Sequence, residues 1–234
     1  DKDRPNNNSY LEMLLLERKR IIHKASNKIG ITINILTDRF KREGTLKYTF
    51  VYVPEGINEG VAESSDYDNE ENRIINDYIK NIALIDESIF VNKIVGGMSN
   101  REEILRQFSE GDIQVLTSMK CLDEGVDIPR AEHAVFCSST GNPRQFIQRR
   151  GRVLRKHPNK VAATIHDLVV IPSFFNSDQE NYKTEKKLLE KELERVLHFA
   201  SLSKNPLFSL NIFEEVARHY SINIYSKFNN IKND

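Results

Sequence analysis

Gln148, Arg152 and Arg155 sit four and three residues apart in "QFIQRRGRVLR" (145–155). On a helix at about 100° per residue, with Gln148 at zero, Arg152 falls at about 40° and Arg155 at about −20°, so the three share one face. Phe146, Ile147, Val153 and Leu154 occupy the opposite arc, where they are expected to fix the helix to a core. A carboxamide and two guanidinium groups in a row form a rigid comb of donors for phosphate oxygens. Arg150 falls outside that face, and Gly151 costs about 1 kcal/mol in a helix interior unless another group must come close. The simpler reading of so basic a stretch is a solvated surface helix or a non-specific nucleic-acid contact. Three features weigh against it: Arg rather than Lys at every helical basic position, the inserted glycine, and the apolar backing. Residues 141–160 hold seven Lys or Arg and no acid, while the whole chain balances 34 basic against 34 acidic residues.

The stretch upstream narrows the chemistry. "VLTSMKCLDEGVDIP" (115–129) reads as a strand ending on the hydroxyl pair Thr117 and Ser118, followed by a turn containing Gly125 and Asp127. In a parallel sheet, ligands collect outside the carboxyl ends of the strands, and this stretch is expected to lie there. A hydroxyl pair can hydrogen-bond a phosphate, glycine lets a backbone approach closely, and an aspartate can accept from a ribose hydroxyl. Gly-Val-Asp alone carries no signal; followed 20 residues later by Q-R-x-G-R-x-x-R, it does.

These residues need a scaffold. Strands are expected at 48–53, 89–95, 112–117, 133–137 and 161–171, most of them apolar without interruption, as strands buried on both faces are. Helical spacing recurs at 71–85, 100–108 and 143–155, giving a repeated β-α-β order and a doubly wound, mainly parallel α/β fold. Ser99 with Glu102 forms a capping-box pattern for the middle helix, Gly111 a C-terminal stop, and Asn142 with Pro143 a start for the third. An amphipathic helix is expected at 9–29, and the acidic stretch 55–72 reads as a solvated loop. At the far end, Leu188, Leu189, Leu193, Val196, Leu197 and Ala200 line one stripe of a helix over 181–202, and a shorter helix is expected over 206–222. The organisation expected is a linker with helices at 1–44, an α/β domain at 45–175 and a helical extension at 176–234.

Composition removes several function classes. A mean hydropathy of −0.51 and the lack of a long apolar run leave no membrane span or secretory signal in the sequence. Cys121 and Cys137 are the only cysteines, without C-x-x-C spacing, so no disulfide framework is expected and a cytoplasmic location fits. The six histidines are scattered, with no metal-ligand spacing, and no G-x-S-x-G elbow is present.

Taken together, "TSMKCLDEGVDIP" resembles motif V, and "QRRGRVLR" motif VI, of the C-terminal RecA-like domain of superfamily 2 helicases, with "YTFVYV" (48–53) at the place of motif IV. The resemblance covers about residues 45–170 and implies an ATP-dependent helicase or translocase. It makes Arg152 and Arg155 arginine fingers for the γ-phosphate of ATP, and sets Gln148 at that phosphate and its attacking water. Gly125, Asp127 and Arg149 would face the nucleotide, and Thr117, Ser118, Gly97 and Arg101 the nucleic-acid backbone. ATP and Mg2+ are expected on a preceding RecA-like domain of the same polypeptide, because these residues contain no G-x-x-x-x-G-K-[ST] and no Asp-Glu-x-His/Asp box. This chain alone is therefore expected to be inactive. Gln148 stands where DEAD-box RNA helicases usually carry His, and "DEGVDIP" is closer to excision-repair and restriction-type translocases, so DNA rather than RNA is expected. The contrasting reading is a degenerate RecA-like module that grips nucleic acid or a partner without ATPase activity.

Overall fold

A computed structural model describes residues 25, 27–54, 66–119, 127–137, 143–172 and 181–233. The chain divides into two compact units, residues 1–168 and 169–234. In the first, the elements are α1 (Asn27–Glu43), β1 (Thr49–Tyr52), α2 (Asp66–Ala83), β2 (Val91–Ile94), α3 (Arg101–Glu110), β3 (Val115–Ser118), β4 (His133–Phe136), α4 (Pro143–Val153) and β5 (Thr164–Asp167). The strands form one sheet in the order β2-β3-β1-β4-β5, and every pairing is parallel.

The expected strands all form, and β1, β3 and most of β4 are buried. Alternation along β1 explains why both faces are apolar. Phe50 and Tyr52 join Ile104 and Phe108 of α3 and Val153 of α4 on one face, while Val51 joins Leu36 of α1 and Ile75, Tyr78 and Ile82 of α2 on the other. Strand β5 differs: it is the sheet's edge, and Thr164 and His166 are exposed.

Local signals are met unevenly. Gly111 takes the left-handed conformation (φ 87°) and donates its N–H to the carbonyls of Gln107 and Phe108, closing α3 as expected. The Ser99–Glu102 box does not form. Asn100 is the N-cap and makes no side-chain cap bond, which puts Glu102 one position short of the third helical residue that a capping box requires. The acidic stretch is also corrected in part: from Asp66 onward it is already α2. Residues 55–65, most of the helix expected at 9–29, and Asn142 lie outside the described residues.

The second unit is helical: α5 (Tyr182–Ser201), α6 (Pro206–Asn211), α7 (Glu214–His219) and α8 (Ile224–Asn233). Leu189, Leu193, Leu197 and Ala200 of α5 are buried with Leu210, Val216, Ala217, Tyr220, Ile224 and Phe228. The helix expected at 206–222 is two short ones broken around Ile212, and α8 has no counterpart in the sequence-based reading. Within this unit Tyr220 is fully buried, and its hydroxyl donates to Glu185 Oε2 at 2.9 Å.

Candidate functional site

Helix α4 begins with Pro143, whose fixed φ suits a first helical position. Its buried face is not the one the helical wheel alone gives. Phe146 is half-buried and Val153 fully buried, but Ile147 and Leu154 are 48% and 50% exposed. Arg149 takes their place, 2% exposed, with its Cζ 4.4 Å from the centroid of the Tyr52 ring. A flat guanidinium on an aromatic face behaves as part of the core, so the inward stripe runs Phe146–Arg149–Val153 and the helix is rotated accordingly. That rotation leaves Gln148 and Gly151 exposed and Arg152 half-buried at the rim.

The helix ends at Val153, so Arg155 lies beyond it rather than on its wheel. Its Nη1 makes an ion pair with Asp127 Oδ2, and both side chains remain accessible, Arg155 at 57% and Asp127 at 35%. The pair joins the two stretches singled out in the sequence, one from each motif.

Their position in the sheet is a correction. Thr117 and Ser118 end β3 at the carboxyl edge, as expected, but Asp127 belongs to the segment entering β4 at its amino end. Because β3, β4 and β5 are all parallel, the residues just before β4 and just before β5 belong to the edge opposite the one where β3 ends. Asp127 and Arg155 therefore lie toward the amino edge. Gly125 lies outside the described residues.

A separate group sits at the carboxyl ends of β2 and β3. Thr117 is fully buried and its Oγ1 donates to the carbonyl of Asn92 at 3.1 Å, while Ser118 is buried beside it. Gly97 follows β2 with φ 75°, a conformation side chains rarely adopt, and a Cβ there would meet nothing within 4 Å. The turn it makes brings Met98 Sδ to accept from the Val95 N–H at 3.4 Å and delivers Arg101, half-buried, as the first residue of α3. The nine site residues that the structure describes thus fall into two groups.

The surrounding charges are largely structural. Arg39 is buried; its guanidinium donates to Glu43 Oε2 at 2.7 Å, to the Lys47 carbonyl at 3.0 Å and to Thr49 Oγ1. Burial, with Arg39 nearby, depresses His133 to about 4 although Glu43 lies 3.9 Å away, since that carboxylate is already held by Arg39 and Arg42. His166 is shifted down as well, through partial desolvation of its ring on the sheet and the positive charge of Arg42 and Arg39, although the residue as a whole stays exposed on the edge strand. Cys137 is fully buried, 3.1 Å from Thr32 Oγ1, and burial pushes its thiol up to about 11, which suits a small core residue. Among the described residues, no cluster of His, Cys, Asp and Glu could hold a metal ion, and no helix is long and apolar enough to cross a membrane.

A five-stranded all-parallel sheet with helices packed on both faces matches the RecA-like fold of helicase C-terminal domains. Residues 69–157, from α2 to the loop after α4, match the helicase conserved C-terminal domain family. Those residues therefore carry a helicase C-terminal domain of the kind found in superfamily 2 helicases and translocases. It is 48% identical over 56 residues to DNA 3'-5' translocase XPB2 of Sulfurisphaera tokodaii, a span covering 24% of this chain and 13% of that one. A Methanocaldococcus jannaschii protein provisionally named an ATP-dependent RNA helicase, MJ1505, is 33% identical over 115 residues (48% and 14%). ATP-dependent DNA helicase MPH1 of Eremothecium gossypii is 28% identical over 100 residues (42% and 9%). The chain therefore matches no more than a seventh of the length of any of these three relatives.

Proposed function

We propose that this domain is the C-terminal half of an ATP-driven DNA translocase or helicase, and that its two residue groups serve two ligands. ATP with Mg2+, bound mainly by a preceding RecA-like domain of the same polypeptide, supplies the phosphoryl group whose transfer drives the motion. Arg152 and Arg155 neutralise charge developing on the γ-phosphate, and Gln148 orients the water that attacks it. Asp127 holds Arg155 until the cleft closes, then exchanges that partner for the nucleotide; Arg149, expected at the nucleotide, is instead buried on the Tyr52 ring and acts only by fixing α4. At the other edge the Gly97 turn and Arg101 meet a sugar-phosphate chain, which fixes register without reading sequence, while Thr117 and Ser118, expected to touch it, are fully buried and support that edge from beneath. Alternation of the cleft then moves the strand. A cytoplasmic location accords with this role.

The observation that carries this reading is the Asp127–Arg155 pair together with Gln148 and Arg152 on the open side of α4. In support, Gln148 and Arg155 are exposed, Arg152 is half-buried, and the buried Arg149 keeps their helix fixed. DNA is favoured by Gln148 in place of His and by the XPB2 and MPH1 relatives.

The test is steady-state ATP hydrolysis by the intact polypeptide with single-stranded DNA, duplex DNA and RNA as effectors, for the natural sequence and for Arg152→Lys. DNA is expected to stimulate most, and the variant to lose most of the stimulated rate while unfolding at the same denaturant concentration. Turnover equal to the natural sequence in the variant removes the finger assignment. No ATP hydrolysis in the intact polypeptide favours the degenerate binding module.

A further inference from the structure

We infer that Lys160, seven residues past the end of α4, is a positioning residue that locks the Asp127 segment to the Arg155 segment; the inference deepens the proposed function and rests on it for its catalytic meaning. Lys160 Nζ donates to three backbone carbonyls: Pro129 at 2.7 Å, Ala131 at 3.1 Å and Val153 at 2.7 Å. An ammonium group has three protons, so its whole donor capacity goes to main chain. Two of those carbonyls lie two and four residues after Asp127, and the third lies two residues before Arg155.

A lysine that merely capped the helix would need only the Val153 carbonyl, one of the groups a helix terminus leaves unsatisfied. The other two acceptors are the last residue of the opposite motif and the residue two beyond it, so the ammonium spans the site. The loop it closes is compact: the Lys160 N–H donates to the His157 carbonyl at 3.0 Å, the Asn159 N–H to His157 Nδ1 at 3.2 Å, and the Leu154 N–H to the Arg150 carbonyl at 2.9 Å. Glu132, itself paired with Arg130, is the carboxylate that favours the charged lysine. Burial and Arg130 act the other way and lower its pKa, so the charge is retained against a desolvation penalty by these acceptors.

Magnitudes decide which contact does the holding. The Asp127–Arg155 pair is accessible on both sides, and an accessible pair contributes little that would fix a side chain. Three charge-assisted bonds to main-chain carbonyls contribute more, and they act on the backbone from which Asp127 and Arg155 project.

Amide hydrogen exchange on this 234-residue chain tests the clasp without nucleotide. Lys160→Met keeps the stem and removes all three donors. The Ala131, Leu154 and residue-160 amides are expected to exchange about 10- to 100-fold faster, with the β1 amides of Val51 and Tyr52 unchanged. Equal exchange at the first three positions overturns the inference, as does acceleration spread uniformly through β1. Lys160→Gln, which can reach only one of the carbonyls, provides a graded loss should the methionine variant yield too little folded chain. In the ATP-hydrolysing polypeptide, Lys160→Met is expected to lower kcat and leave KM for nucleic acid unaltered, because the proposed backbone contacts lie at the other edge of the sheet. A change in KM with kcat retained refutes the positioning role. Because exchange is read without ATP, an inactive natural polypeptide would sink only the proposed function, whereas unchanged exchange would sink only the clasp.

Discussion

The carboxyl end of β2 and β3 and the amino end of β4 and β5 are built differently. At the first, apart from Arg101, the polar groups are small or main-chain: a buried threonine hydroxyl bonded to the neighbouring strand, a left-handed glycine, and the Val95 N–H donating to a methionine sulfur. At the second, long charged side chains meet across segments: Arg155 with Asp127, Arg130 with Glu132 and stacked 3.4 Å from the Tyr48 centroid, and Lys160 on three carbonyls. A surface of fixed shape suits a uniform ligand such as a sugar-phosphate backbone. Charges that can exchange partners suit a ligand that arrives, reacts and leaves.

Substitution at each end should therefore fail in a different way, and this is where the largest effect is expected. Arg155→Ala in the ATP-hydrolysing polypeptide should lower kcat by a factor on the order of 10³–10⁵, the range typical of arginine fingers, with nucleic-acid affinity retained. Arg101→Ala should do the reverse, with kcat nearly kept and nucleic-acid binding weakened, whereas Thr117→Val, at a buried position, should cost only about 1 kcal/mol of stability with the hydrogen bond to Asn92. Parallel measurement of kcat and nucleic-acid Kd checks both arginine variants, and the same profile from the two would erase the distinction between the edges.

How far the sequence alone could draw that distinction depends on the kind of residue. The central strands were legible because burial on both faces demands apolar residues without interruption, and "YTFVYV" has no other comfortable place. Gln148 and Arg152 were legible as neighbours on one face because four-residue spacing survives any rotation of the helix. The rotation itself was not. A wheel treats arginine as polar, and only the Tyr52 ring, nearly a hundred residues away, makes Arg149 a core residue. The edge at which Asp127 emerges was hidden too, since the length of the segment between β3 and β4 does not give it. Lys160 looked like one more charge in a basic run, although its three acceptors are main-chain atoms that no residue type encodes.

The amino edge also predicts a pH dependence. His133 has a folded-state value of about 4, below the ordinary histidine value of about 6.5, because burial and Arg39 oppose its charged form. As pH falls from 6.5 the unfolded chain takes up a proton that the folded chain refuses until about 4, so stability is lost across that interval and is unaffected by this group above it. The loss should be about 1–2 kcal/mol once discounted for the solvent that still reaches the ring. Urea unfolding of the natural sequence and of His133→Gln at pH 7 and pH 4.5 checks it: the gap between the two pH values should narrow in the variant. An equal gap would mean that the ring is wet enough to protonate in place.

The smallest effect expected is also the one that separates folding from function on α4. Gly151 is helical and exposed, and a Cβ built there meets nothing within 4 Å. Glycine in such a place weakens a helix, so Gly151→Ala should raise the unfolding free energy by about 0.5–1 kcal/mol. No group of the described residues accounts for the glycine. Since it lies between Gln148 and Arg152 on the open side of the helix, a methyl group should obstruct the approach of the nucleotide-bearing domain. The variant is therefore expected to be more stable and less active, read by chemical denaturation and by DNA-stimulated ATP hydrolysis. Full activity in the stabilised variant would mean that nothing packs against this turn of α4 during turnover, and the two arginines would need another route to the phosphate.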